Sequence, residues 1–197
     1  MTVTVRTAVR SDARAIARVR VETWRAAYDG LIAREVLDHL DVDREGARRE
    51  ELWDEYHADP RGAELIAHAD RELAGWAAVG PSIDDDLPDD GQIYAIYSLP
   101  EFWGTGVGFA LLQASEAFLR EAGFTHAHLW YLDGNERAAE FYRRNGWLED
   151  GVTKHDDRLV AGVSTEPLFE RRCVKRLQVR PHSRFVSLRS LNDRGQG

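Results

Sequence analysis

Residues 103–108 read Trp103-Gly104-Thr105-Gly106-Val107-Gly108, and the amphipathic run Phe109 to Leu119 follows at once. Three glycines at alternate positions ahead of a helix make a specific chemistry available. Glycine takes positive φ without steric cost and lets another group approach the backbone closely. The N–H groups of a first helical turn have no acceptor inside the helix, and the helix dipole favours an anion at that end. The segment is a candidate cradle for a phosphate-bearing ligand.

Spacing removes two common cradles. A nucleoside-triphosphate loop needs lysine and then serine or threonine after its last glycine, and no lysine follows here. A dinucleotide fingerprint needs Gly-x-Gly-x-x-Gly and an acidic residue about 20 positions further on. These glycines run Gly-x-Gly-x-Gly, and the next strand ends at Asp133. A ligand cradle of another kind and a plain glycine-rich turn both remain open.

The elements that would position such a turn can be read from periodicity and breakers. A first strand is predicted over about Thr2–Ala8. Ser11 is placed to cap a helix to about Tyr28, with Ala13, Ile16, Ala17, Trp24, Ala27 and Tyr28 on one face. Short helices are expected over Ala33–Leu40 and, capped by Asp43, over Arg44–Ala58. Glu64–His68 and Glu72–Val79 read as a hairpin. Gln92–Leu99 is a strand ended by Pro100. The main helix runs Gly106–Glu121 and closes at Gly123. Then come a strand at His126–Leu132, an Asn135-capped helix to Arg144, and strands near Leu148–His155 and Pro167–Leu177.

Strand, glycine turn, helix, strand, then Asn135-Glu136-Arg137-Ala138-Ala139-Glu140-Phe141-Tyr142 and Gly146-Trp147: this order resembles the GCN5-related N-acetyltransferase (GNAT) superfamily. Gly106 and Gly108 match its [Gln/Arg]-x-x-Gly-x-[Gly/Ala] pattern, with Trp103 in the place of Gln or Arg. Asn135, Ala138 and Tyr142 match Asn-x-x-Ala-x-x-x-Tyr. Glu22 to Leu31 resembles a subgroup with a Thr-Trp-x-x-x-Tyr-x-Gly helix end, and the likeness covers about residues 3 to 175.

The resemblance implies an α/β (mixed α+β) fold: a central mixed, mostly antiparallel, seven-stranded sheet flanked by helices and splayed between strands four and five. It implies acetyl-CoA as co-substrate and an amine acceptor, with no metal. Ile96, Tyr97 and Ser98 would pair with the pantetheine arm through the main chain. Trp103, Gly104, Thr105, Gly106, Val107 and Gly108 would cradle the pyrophosphate, and Asn135 would reach the cofactor or simply cap its helix. Tyr142 would protonate the leaving thiolate. Trp24 and Tyr28 would border the acceptor, with Gln92 and Tyr94 on the neighbouring strand. Gln92 stands where relatives often carry Glu, so no carboxylate base is present there. Glu22, Asp29, His155, Asp156 or a water relayed past Tyr94 remain open for that role. The expected acceptor is a small-molecule primary amine. A protein or peptide acceptor, and a non-catalytic acyl-CoA-binding module, are the alternatives.

Composition sets outer bounds. The 197 residues, 43% hydrophobic, suffice for one core, and the expected organisation is a domain over 1–177 with a basic tail over 178–197. The net charge of −8 disfavours nucleic acid but requires local positive potential for an anionic cofactor, for which Arg137, Arg143 and Arg144 are candidates. No apolar run of membrane-spanning length occurs, the first residues lack a signal-peptide core, and a single cysteine, Cys173, reads as structural. A cytoplasmic protein with no membrane partner is expected, and a homodimer is compatible with this. The five aspartates of Ile83–Gly91 lack calcium-loop spacing and read as a solvated loop.

Overall fold

In a computed structural model, residues 1–155 and 168–177 are described. The expected tail over 178–197, Pro167 and the base candidate Asp156 lie outside the described residues. Within the described residues seven strands run as β1 (Val3–Thr7), β2 (Ala63–Ala69), β3 (Glu72–Pro81), β4 (Gly91–Ser98), β5 (His126–Leu132), β6 (Leu148–His155) and β7 (Phe169–Arg176). Among the described residues six α-helices are interleaved: α1 (Ala13–Ala27), α2 (Arg34–Asp38), α3 (Val42–Glu51), α4 (Trp53–Tyr56), α5 (Val107–Glu121) and α6 (Glu136–Arg144). The strands form one sheet in the order β1-β2-β3-β4-β5-β7-β6. The β4–β5 pair is parallel and the other pairs are antiparallel, as expected.

Alternation along the strands divides the core between two faces. Trp76, Tyr97 and Leu99 pack with Ile16 and Val19 of α1. Their neighbours Ala77 and Ile96 pack with Val107 and Leu111 of α5 on the other face. The β2–β3 hairpin turns on Asp70 and Arg71, with φ of 47° and 78°. Two consecutive left-handed residues match the twist of the flanking strands.

Two predicted caps move. Ser11 falls in a 3-10 turn, Arg10–Asp12, where the Asp12 carboxylate accepts the Val9 N–H at 2.8 Å and pairs with Arg6 at 2.7 Å. Asp41, not Asp43, accepts the Arg44 N–H at 2.7 Å and caps α3. The single helix expected over Arg44–Ala58 breaks at Leu52 into α3 and α4, and Trp53 turns into the core beside α1.

The feature that positions the site is the parting of β4 from β5. Their ladder runs only from Gly91–Ala127 through Gln92–His128 to Ile93–Leu129. Against β3, Ala78 faces Ala95 but Val79 faces Ile93, so Tyr94 is the extra residue of a bulge. Such a bulge bends its strand and increases local twist. Beyond it, β4 follows β3 and leaves β5.

The tight β3–β4–α5 contact gives a direct test. A Cβ on Gly75 would lie 2.6 Å from the Tyr97 carbonyl oxygen and 2.8 Å from Leu111 Cδ1. Gly75→Val is expected to cost about 1–3 kcal/mol, read as a lower urea midpoint. Gly62→Ala, where a Cβ would meet nothing nearer than 3.4 Å, should change stability by less than about 0.5 kcal/mol. Equal losses in the two variants contradict this packing.

Candidate active site

A cleft of about 540 Å³ opens where β4 and β5 part, between the glycine turn and α6. Its wall is the bare edge of β4. The Leu99 N–H donates to Ala74 on the β3 side, so Ser98 and, two residues back, Ile96 direct their backbone groups to the open side. The Ser98 carbonyl accepts the Thr23 hydroxyl at 3.0 Å and the Trp103 indole N–H at 2.8 Å. These bonds tie α1 and the glycine turn to the end of the strand. The Ile96 main chain and the Ser98 N–H are left facing the cleft, whereas Tyr97 pairs with Trp76 of β3.

The turn itself is built by backbone conformation. Gly104 and Gly106 have φ of +74° and +96°, and Gly106 occupies the N-cap position of α5. A Cβ at either would meet nothing within 4 Å. Glycine is thus demanded by φ rather than by crowding, and the space over both residues is open. No side chain caps α5, and its first turn carries no acid. The initial N–H groups and the positive end of the dipole are therefore offered to the cleft. Thr105 is turned the other way, its hydroxyl donating to the Phe102 carbonyl at 2.6 Å. The Thr105 N–H donates to the same carbonyl at 3.3 Å, and Val107 is fully buried, so Val107 can offer a ligand only its main chain. These residues fit an anionic phosphate group.

On the facing side, Asn135 accepts the Ala138 N–H at 3.1 Å and caps α6, leaving its amide nitrogen for the cleft it lines. Arg137 lays its guanidinium over the Trp103 ring, 3.2 Å from the centroid. Burial lowers its pKa, yet arginine stays charged in proteins. Arg143 and Arg144 instead pair with Glu140 at 2.7 Å and 2.6 Å and hold its carboxyl at about 2. The three arginines that sequence alone left equivalent are thereby separated.

Tyr142 is buried and lines the cleft, with Phe141 and Tyr131 packed at 5.3 Å and 6.1 Å between ring centroids. Burial, then the neighbouring Tyr97, push its hydroxyl far above the ordinary phenol range. It therefore stays protonated at neutral pH, with its hydroxyl in the cleft wall.

A second cleft of about 240 Å³ lies against the first and shares Tyr28, Ile93, Tyr94, Tyr97, Trp130 and Tyr131 with it. Trp24 and Gln92 line this second cleft. Trp24 stacks edge-on against Tyr28 at 5.1 Å. Tyr28 and Tyr97 are both raised by burial. Gln92 is occupied, its Oε1 accepting the Ile83 N–H at 3.0 Å. The Tyr94 hydroxyl donates to the Pro81 carbonyl, and burial raises it to about 12.

Of the base candidates among the described residues, Glu22, Asp29 and His155 line neither cleft, whereas Tyr94, the residue of the water relay, lines both. Glu22 pairs with Arg18 at 2.8 Å, His155 packs on Phe169 at 4.2 Å, and Asp29 bridges to Ile32 in the loop after α1. The charged groups of the second cleft are Lys154 and Glu170. Sequence reasoning missed both, because nothing local distinguishes them in two charged strands.

The acidic loop is corrected. Asp84 accepts the Trp130 indole N–H at 2.6 Å and lies 2.9 Å from His128 Nε2. Arg172 bridges Asp86 at 2.6 Å and Asp150 at 2.8 Å. His128 is fully buried, and burial outweighs Asp84 and Asp90 to lower its pKa. The loop is pinned over β5 and β7 rather than solvated throughout. Cys173 is buried, and burial raises its thiol to about 11, which fits a structural role. Among the described residues, no group of three His, Cys, Asp or Glu could hold a metal ion, and no helix is long and apolar enough to cross a membrane.

The family described as Acetyltransferase (GNAT) family matches residues 28–147. An uncharacterized N-acetyltransferase of Bacillus subtilis, YuaI, is 31% identical over 134 residues, covering 68% of this chain and 73% of the relative. A mycothiol acetyltransferase of Paenarthrobacter aurescens is 35% identical over 105 residues, 52% of this chain and 31% of its own. Among solved structures, the PaiA N-acetyltransferase of Thermoplasma acidophilum in complex with coenzyme A shares the fold. Its TM-score is 0.69 at 18% identity, covering 89% of this chain and 99% of that one.

The buried phenols predict an alkaline limit to stability. Tyr28, Tyr97 and Tyr142 are raised in the fold, whereas the unfolded chain releases these protons near pH ~10. Their contribution is complete below about pH 10 and is lost as pH rises further. The urea midpoint is expected to fall between about pH 9 and pH 11, and to fall less in Tyr142→Phe. Identical falls mean that Tyr142 ionises alike in both states.

Proposed function

The chain belongs to the acetyltransferase (GNAT) family, and from that premise we propose that it moves an acetyl group from acetyl-CoA to the primary amine of a small molecule by direct attack. The observation that carries this reading is that one cleft joins three things: an uncapped helix N-terminus behind Gly106, a bare β4 edge at Ile96, and the protonated Tyr142.

Acetyl-CoA supplies an activated thioester. The chain's residues do the rest. The N–H groups at Gly106 and in the first turn of α5, with the Arg137 guanidinium, meet the pyrophosphate charge, which a chain of net charge −8 must offset locally. The Ile96 main chain pairs with the extended arm as an added strand would, and its N–H polarises the acyl carbonyl. Tyr142 gives its proton to the leaving sulfur, whose pKa lies near that of cysteine, about 8.5.

The acceptor side supports a small molecule. The second cleft falls below the ~300 Å³ lower end of ordinary ligand pockets. Ile32, Val36 and Leu37 pack with Trp24 and close that side, where a peptide acceptor would need an open groove. The mycothiol acetyltransferase likeness points the same way.

Tyr142→Phe removes a hydroxyl only. It should lower kcat by about 10²-fold or more and leave acetyl-CoA affinity unchanged by calorimetry. Gly106→Glu, which places bulk and negative charge at the cradle, should abolish that binding in a folded protein. Unchanged affinity in Gly106→Glu overturns the cofactor assignment, and unchanged kcat in Tyr142→Phe overturns the proton-donor role.

A further inference from the structure

Lys154 and Glu170 face each other across β6 and β7, with Lys154 Nζ 3.4 Å from Glu170 Oε2. Both line the second cleft, where they are the only charged side chains among the described residues. Their places in it differ. Lys154 is the more exposed, its ammonium 4.1 Å from the centre of the Trp130 ring. Glu170 is 15% exposed and lies close enough to Tyr28 and Tyr97 to raise both hydroxyls further. Those two tyrosines also line the larger cleft, and Tyr97 in turn acts on Tyr142. The carboxylate is thus the less exposed of the two and neighbours Tyr28 and Tyr97, while the ammonium lies over Trp130.

Resting on the acetyltransferase reading above, we propose that this cleft takes an amino-acid-like acceptor, with Glu170 receiving its ammonium and first proton and Lys154 holding its anionic group. The two ends of such a molecule each take one member of the Lys154–Glu170 pair. The rings of Trp24, Tyr28, Tyr94 and Trp130 enclose its apolar part. A diamine of similar length would set a second positive charge against Lys154, and an uncharged end would leave Lys154 without its new partner.

The proton balance closes. The acceptor ammonium gives one proton to the Glu170 carboxylate, and the freed lone pair forms the N–C bond to the thioester carbonyl carbon. The C–S bond breaks with its electron pair on sulfur, which takes the Tyr142 proton. The second proton lost by nitrogen refills Tyr142, and Glu170 releases its own to solvent.

The test uses the full chain, acetyl-CoA at saturation, and a neutral α-amino acid series against the matching amides and diamines. The wild type should favour amino acids over both by tenfold or more in kcat/KM, and Lys154→Met should erase that margin mainly through KM. With Glu170 as base, wild-type kcat/KM should be flat from about pH 6 to pH 8. In Glu170→Gln it should drop by about 10²-fold or more and rise in proportion to the free amine, while acetyl-CoA affinity stays within twofold. Preference for amides or diamines overturns the substrate class without any variant. Equal pH profiles in wild type and Glu170→Gln overturn the role of Glu170. A wild type that binds no acetyl-CoA overturns the acetyltransferase reading and this proposal with it; one that binds it but acetylates only peptides overturns the acceptor assignment alone.

Discussion

The parting of β4 from β5 is the constraint on which the rest depends. Three residue pairs hold the strands in parallel, and then the extra residue at Tyr94 bends β4 away. An unpaired strand edge inside a sheet is costly unless something satisfies it. Here Thr23 and Trp103 satisfy the Ser98 carbonyl, and the stretch at Ile96 stays open to the cleft. The same opening brings α5 and α6 to face each other, so that the Gly106 turn, Arg137 and Tyr142 line a common space. Close the strands and no site exists.

Electrostatics follow from that geometry. On the proposed reading an acidic chain has to hold an anionic ligand, and the groups it offers carry little mobile charge: oriented N–H dipoles and a guanidinium flattened on an indole. Around the inner end the chain buries tyrosines, whose hydroxyls stay protonated because ionising them would place a charge in an apolar surround. On the proposed reading, Tyr142 is the phenol of this group that stands by the leaving sulfur, and it reaches that step protonated.

Much of this was legible in the sequence where the signal is short-range. The Gly104–Gly108 turn, the Asn135 cap and the Ala138–Tyr142 spacing lie within a few residues of one another, and the bounds of β5 and α6 follow from local periodicity. What escaped depends on pairing between distant segments. Trp130 holds Asp84 from 46 positions away and Arg172 holds Asp86 from 86, so an acidic stretch that reads as solvated is in fact pinned. The Tyr94 bulge is a property of β3–β4 register, which no property of β4 alone reveals. Glu170 and Lys154 read as two charges among many until β6 and β7 are set side by side. The choice of Asp41 over Asp43 as cap turned on backbone geometry, since both are acids ahead of the same run.

The most direct measurement is amide hydrogen exchange of the full chain with and without coenzyme A. Binding in the cleft should slow exchange at residues 104–108 and at Ile96, with the β1–β2 edge unchanged. Slowing confined to other segments, or none at saturating ligand, contradicts the placement of the cofactor between β4 and β5.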